Sequence, residues 1–426
     1  METVDVLVIG AGQAGLATSY YLTHQGRDHV VLEQDSVAES WRSSRWDSFC
    51  LVTPNWTVQL PGFPYQGPDL DGFMTKDEIL DYFDRYVASF HPPVRARTRV
   101  TSLERRAGEA GFQVLTESAS FYAREVVVAT GSYQRPRLPD VAAKLPPELF
   151  QIHSSEYKNP DKLPLGAVLV VGTGQSGTQI AEELHGAGRD VFLSVSSCGR
   201  VPRRYRGRDT ILWGVKAGAL DRTVDTLKSP IERFACHPHV SGTEGGHDIN
   251  LRQLARNGVI LLGRVQSTRE GRLILAADLS LNLAKSDQFA ENLLEQLDEA
   301  VQKLGLDLPP DTNPRGVGPQ VPHETKPILE LDLRASRITS VVWATGYVHD
   351  FSWIHLPVFD DVGYPIQQRG VTPAAGLYFV GLEWLYKQKS GLLLGVGEDA
   401  AHVTSTIPAR ARTRSSGMDS LSEGGN

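Results

Sequence analysis

Cysteine is scarce in this chain. Three occur in 426 residues, Cys50, Cys198 and Cys236, and none stands in a Cys-x-x-Cys pair. That spacing disfavours a disulfide framework, a four-cysteine zinc site and a dithiol redox centre. Long apolar runs are missing too. No stretch approaches the roughly 18 uncharged apolar residues of a membrane helix. Positive charge is not in excess: 43 Lys and Arg stand against 50 Asp and Glu, a formal net charge of −7. Nucleic acid is therefore not expected as a partner, because a duplex demands a basic footprint. The opening residues, Met1-Glu2-Thr3-Val4-Asp5, lack the basic n-region of a signal peptide, which predicts a cytoplasmic protein. What remains, 41% hydrophobic and 22% charged residues, suits a globular chain with room for two or three cores.

Glycine sits in two telling clusters. The first is Gly10-Ala11-Gly12-Gln13-Ala14-Gly15, after the apolar run Val4 to Ile9. The second is Gly172-Thr173-Gly174-Gln175-Ser176-Gly177, after Ala167 to Val171. Each run reads as a buried parallel strand, and each cluster opens a helix. In such a loop the first glycine permits the tight turn. The second lets the backbone approach a diphosphate, and the third lets helix and strand pack closely. The helix N-terminus adds unpaired N–H groups and a partial positive charge. Two loops a domain apart predict an α/β protein with two Rossmann-like dinucleotide-binding domains.

The acceptors differ. Glu33 lies 23 residues after Gly10, at the end of the strand His29 to Leu32. A carboxylate there accepts hydrogen bonds from ribose hydroxyls. The same count from Gly172 reaches Val195, then Ser196, Ser197 and the arginine run beginning at Arg200. Serine and arginine suit a 2′-phosphate, which predicts NADPH at the second loop with Ser196 and Arg200 as its contacts. The arginines also fit a solvated basic loop. Free ribose hydroxyls at the first loop fit FAD. Two further strands end alike, in Ala129-Thr130-Gly131 and Ala344-Thr345-Gly346, turns that let the chain pass between domains near a cofactor.

On these residues the chain resembles the flavin-dependent monooxygenases of the two-dinucleotide type. They include flavin-containing monooxygenases, YUCCA enzymes, Baeyer–Villiger enzymes and bacterial flavoproteins labelled for potassium transport. His153 to Lys158 and Gly376 to Gly381 also carry the resemblance. One departure stands out. In the family fingerprint Phe-x-Gly-x-x-x-His-x-x-x-aromatic, His153 and Tyr157 fit, but Pro147 and Leu149 replace Phe and Gly. Tyr157 rather than Trp is closer to the heteroatom-oxidising and YUCCA-like members. His153 fits a structural role in a linker as well as chemistry.

The resemblance implies FAD, NADPH, molecular oxygen and a small organic substrate, with oxygen transferred through a C4a-peroxyflavin. It implies FAD-binding segments 1–160 and 336–407, an NADPH domain over 161–335 with a helical insertion near 286–304, and a disordered tail over 408–426. The aromatic loop Trp41 to Tyr65 would receive the flavin ring, with Trp41 and Arg42 flanking the diphosphate and ribityl chain. Asn55 would reach the ring as a catalytic amide, and the backbone at Val100 would meet adenine. A helix over Ser390 to Val403 would aim its N-terminus, at Gly391 and Leu392, towards the flavin pyrimidine. Two rivals use the same loops: a flavin reductase or dehydrogenase with another acceptor, and a nucleotide-sensing flavoprotein without turnover. A homodimer stays open.

Elsewhere the pattern is structural. Lys76 to Phe90 has helical periodicity. Ser286 is expected to cap a helix to Leu304 whose stripe is Phe289, Leu293, Leu297 and Val301. His237, His239 and His247 form the one histidine cluster, and their spacing fits no zinc pattern, so no metal is expected.

Overall fold

Val4 to Ile9 are buried without a break, so both faces of their strand are covered, as a parallel sheet requires. The computed structural model describes every residue except 106, 107, 109, 306, 307, 311–318 and 409–426. The expected tail over 408–426 lies, from residue 409 on, outside the described residues.

Two sheets organise the molecule. In the first, strand Glu2–Ile9 lies between His29–Leu32 and Ser120–Val128, parallel to both. Ser120–Val128 also pairs antiparallel with Phe112–Thr116, which pairs with Val100–Arg105. Its C-terminal half takes Leu377–Phe379 as a parallel neighbour. The second sheet is wholly parallel, in the order Phe150–His153, Ile338–Trp343, Ala167–Val171, Val191–Ser194, Ile260–Leu262. This is the α/β class with two Rossmann-like units.

The second sheet draws strands from both sides of the expected boundaries. Phe150–His153 and Ile338–Trp343 fall in the segments 1–160 and 336–407. They complete the second sheet, with Ile338–Trp343 between Phe150–His153 and Ala167–Val171. Strand pairing is a long-range choice, and an all-buried apolar run carries no mark of which sheet it joins.

Helices Gln13–His24 and Gln175–Gly186 cover the sheets directly after the loops. Lys76–Phe90 begins at a capping box between Thr75 and Glu78, and buries Ile79, Tyr82, Phe83 and Tyr86. The long helix is Leu279–Lys303, so it begins two turns before Ser286, which is buried inside it rather than capping it. Of the expected stripe, Leu297 and Val301 are buried with Tyr205 and Trp213, whereas Phe289 is 43% exposed. The last helix is Val396–Thr406, so Gly391 and Leu392 lie in the turns that lead to it, not at its N-terminus.

Candidate functional site between the two glycine loops

The two loops are built to one plan. Gly10 donates to the Leu32 carbonyl at 2.7 Å, and Gly172 to the Ser194 carbonyl at 3.0 Å. Both glycines have φ near +106°, at 105° and 107°, a region hostile to side chains. A Cβ on Gly10 would meet the Ala129 carbonyl oxygen at 2.6 Å, and one on Gly172 the Ala344 oxygen at 2.5 Å. The two Ala-Thr-Gly turns are thus equivalent parts: each ends a parallel strand beside a glycine loop and forms its floor. Neither N-cap, Gly12 or Gly174, has a side chain to cap its helix, which at the first loop leaves the first-turn N–H groups for a ligand; at the second, the Gln175 N–H meets the Cys236 sulfur. A Cβ on Gly12 would meet nothing within 4 Å. The first loop is therefore an open cradle of the shape a diphosphate needs.

The acceptors are placed alike. The Ala11 N–H donates to Glu33 Oε2 at 2.7 Å, and the Asp35 N–H to Oε1 at 3.1 Å. Burial pushes this carboxyl upward, and those two donors oppose the push. In the second loop Thr173 N donates to Ser196 Oγ at 3.4 Å, and Ser196 N to Thr173 Oγ1 at 3.0 Å. The second site therefore carries a hydroxyl where the first carries a charge. The sequence places Val100 two residues after Thr98, whose N–H donates to the Glu33 carbonyl at 2.7 Å. Val100 therefore follows closely on a segment tied to Glu33.

Other expected contacts take different partners. The Arg200 Nε donates to Asp287 Oδ1 at 2.9 Å. Asp287 also pairs with Arg252, which pairs with Glu324 at 2.7 Å. Burial favours such a neutralised cluster over a free guanidinium. Asn55 is buried with both ends of its amide engaged. Nδ2 donates to the Asp69 carbonyl at 3.0 Å, and Oδ1 accepts from Met74 N at 2.7 Å. These bonds make it a brace across the loop. Arg42 reaches outward to Asp84 at 3.9 Å. Trp41 packs on Phe49 and Phe83. Gln13 donates to the Gly391 carbonyl at 2.6 Å, tying the first loop to the C-terminal segment.

Between the loops lies a cluster that no motif announced. The Arg45 guanidinium stands 5.2 Å from the Trp41 ring and 5.9 Å from Tyr133, whose ring lies 5.1 Å from Tyr347. Tyr133 donates to Glu383 Oε1 at 3.1 Å, and His237 Nε2 lies 3.4 Å from the same oxygen. Burial disfavours the Glu383 charge, but the bonds from His237 and Tyr133 outweigh it and hold the carboxyl below its ordinary value. The bond to Glu383 in turn raises His237 against burial. His153 Nδ1 accepts from Ser155 N at 3.2 Å, so its proton sits on Nε2, 3.0 Å from the Gly346 carbonyl. Burial lowers its pKa and keeps the ring neutral. His153 is a pin between the linker strand and the second Ala-Thr-Gly turn.

The segment over 200–250, opaque in sequence, closes this junction. Arg203 donates to the Val52 carbonyl at 2.8 Å and to Asp209 at 2.8 Å. Val224 N donates to the Tyr386 carbonyl at 2.8 Å, and Gln388 N to the Arg222 carbonyl at 3.0 Å. Residues 236–241 cross the second loop. Gln175 brackets Val240 from both sides of its amide, and Gln179 donates to the same carbonyl at 3.2 Å. The histidines point apart: His237 to Glu383, His239 to the Thr173 carbonyl and His247 to Glu182. The cysteines do not: Cys198 and Cys236, 38 residues apart, bring their sulfurs to 2.7 Å. Sequence spacing argued against such a pair.

Comparison with known proteins follows this geometry. A family model described as pyridine nucleotide-disulphide oxidoreductase matches residues 7–206. The chain is 34% identical over 407 residues to an uncharacterized CzcO-like oxidoreductase of Geobacillus kaustophilus, covering 95% of this chain and 98% of that one. It is 32% identical over 312 residues to the indole-3-pyruvate monooxygenase YUCCA1 of Oryza sativa, covering 70% and 76%. A flavin monooxygenase from Stenotrophomonas maltophilia shares the fold, with a TM-score of 0.65 at 18% identity over 96% of this chain and 98% of that chain. No helix among the described residues is long and apolar enough to cross a membrane.

Proposed function

The chain belongs to the class B flavin-dependent monooxygenases, and on that premise we propose that it uses NADPH and oxygen to oxygenate a small organic substrate. The observation that carries this reading is the pair of equivalent loops, one with a carboxylate acceptor and one with a hydroxyl, either side of a single closed junction. FAD belongs at the first loop and NADPH at the second. When bound, the flavin accepts hydride from the nicotinamide and makes molecular oxygen reactive towards the substrate.

The chain's own residues bind, orient and exclude water. The N–H groups of Gln13, Ala14 and Gly15 receive the FAD diphosphate, and those of Gln175, Ser176 and Gly177 the NADPH diphosphate. Glu33 keeps lone pairs free for the ribose hydroxyls while it orders Ala11. Ser196 accommodates the 2′-phosphate that a carboxylate would repel. Thr130 and Gly131, with Thr345 and Gly346, carry the chain past the two cofactors. Arg45, Tyr133, Tyr347 and Glu383 line the junction, and the segment over 200–250 covers it, so that reactive oxygen is kept from water.

The test is direct. Purified protein is expected to be yellow, to release FAD on denaturation, and to oxidise NADPH in preference to NADH with uptake of oxygen. An extract incubated with enzyme and NADPH should yield a product heavier by one oxygen atom. Colourless protein that no flavin reconstitutes would overturn the reading. Oxygen recovered wholly as hydrogen peroxide, with every substrate tried, would favour the dehydrogenase rival.

A further inference from the structure

The two loops differ in more than their acceptors. The space above Gly12 is open, whereas a Cβ on Gly174 would lie 3.0 Å from Cys236 Sγ. Gly174 is the glycine whose bare face admits a diphosphate. Cys236 therefore stands where the second dinucleotide must approach. Its sulfur is 2.7 Å from Cys198 Sγ, so the two free thiols are in direct contact with nothing between them. Cys198 is buried, two residues beyond Ser196, and Cys236 is exposed.

We propose that Cys198 and Cys236 form a reversible disulfide that locks residues 236–241 across the second glycine loop and shuts the NADPH diphosphate out. The proposal rests on the reading of that loop as the NADPH site. The segment already grips the loop, through His239 on the Thr173 carbonyl at 3.2 Å and Val240 N on Gln175 Oε1 at 3.2 Å. Its far side is tied to the junction through His237 and Glu383. A bond between the sulfurs would fix the one part of the crossing that must yield.

The two sulfurs divide the chemistry. The hydrogen bond from Cys198 lowers the Cys236 thiol against the effect of burial, and His237 lowers it further. The same bond, with burial, raises Cys198. Cys236, exposed and the more acidic of the two, is the sulfur that meets an oxidant, and Cys198 is the thiol that resolves it. The oxidant is hydrogen peroxide, which oxygen-using turnover releases whenever transfer fails. The Cys236 thiolate attacks it: an S–O bond forms, the O–O bond breaks, and hydroxide leaves to take up a proton as water. Cys198 then attacks the sulfenic sulfur: the S–S bond forms, the S–O bond breaks, and the hydroxide leaves as water with the thiol proton. Two thiols give two electrons to one peroxide. A dithiol reductant returns two electrons and two protons and reopens the loop.

The experiment uses the full chain with its flavin. Peroxide-treated protein is digested without reductant, and the Cys198 and Cys236 peptides are expected joined, lighter by two hydrogens than the sum of the free pair. NADP⁺ titrated into reduced and oxidised protein should bind at least about tenfold more weakly to the oxidised form. Cys236→Ser should make binding indifferent to peroxide, and Cys198→Ser should do the same through loss of the resolving thiol. A dithiol that survives peroxide unjoined would overturn the proposal, as would a disulfide with unchanged NADP⁺ affinity. Reduced protein that binds no NADP⁺ would sink the reading of the second loop, and the peptide masses would then judge the disulfide separately.

Discussion

A methyl group on Gly15 would lie 1.8 Å from the Gly10 carbonyl oxygen, and one on Gly177 2.0 Å from that of Gly172. No side-chain rotation relieves a clash with backbone, so the loop itself must shift. Gly15→Ala should cost about 1–3 kcal/mol of stability and yield protein largely free of flavin, read by the visible absorbance of the purified chain. Gly177→Ala should keep its colour and lose NADP⁺ binding. Ser196 offers the complementary test. Ser196→Glu puts a carboxylate beside the 2′-phosphate and should move the ratio of kcat/KM for NADPH over NADH by about tenfold or more towards NADH. Arg200 separates sequence from structure. If its work is the ion pair with Asp287, Arg200→Ala should lower stability by about 1–3 kcal/mol and leave the NADPH-to-NADH ratio alone. Spacing alone suggested a phosphate ligand here, because nothing local shows that Asp287, on a distant helix, takes the guanidinium.

Among elements, the contact between residues 236–241 and the C-terminal segment depends on charge. His237 is raised above its ordinary 6.5, so its share is full below that pH and is lost as pH rises through its folded value. Glu383 is held below 4.5, so its share is present above that pH and is lost as pH falls through its folded value. The pair is therefore strongest between those ordinary values. Thermal melts of wild type and Glu383→Gln should differ most in that window, and the gap should narrow as pH rises through the folded value of His237. An unchanged gap across the range would show that the ion pair contributes nothing. At this scale the sequence was readable where periodicity is strong. Lys76–Phe90 falls where its apolar periodicity puts it. The helix Leu279–Lys303 runs further than its stripe predicts because Leu279 and Leu283 are buried against a neighbouring sheet, a contact the sequence does not show.

For the molecule as a whole, two separate sheets holding separate ligands predict two separate increments of stability. FAD added to stripped protein should raise Tm, and NADP⁺ added to the flavoprotein should raise it again, each by mass action. Loss of the second increment alone, after peroxide, would locate the disulfide's effect. The sequence by itself determined the two dinucleotide loops, the acid at one and the hydroxyl at the other, and the strands that precede them. Those features are local: a glycine turn and the helix it opens are settled within a few residues by sterics and by unpaired N–H groups. Tertiary structure alone decided which sheet receives Ile338–Trp343, that Arg200 answers Asp287, that Glu383 joins Tyr133 to His237, and that Cys198 meets Cys236. These are contacts between residues far apart in the chain. They are fixed by how the cores pack and by the cost of leaving buried polar groups unpaired, and no short stretch of sequence records either.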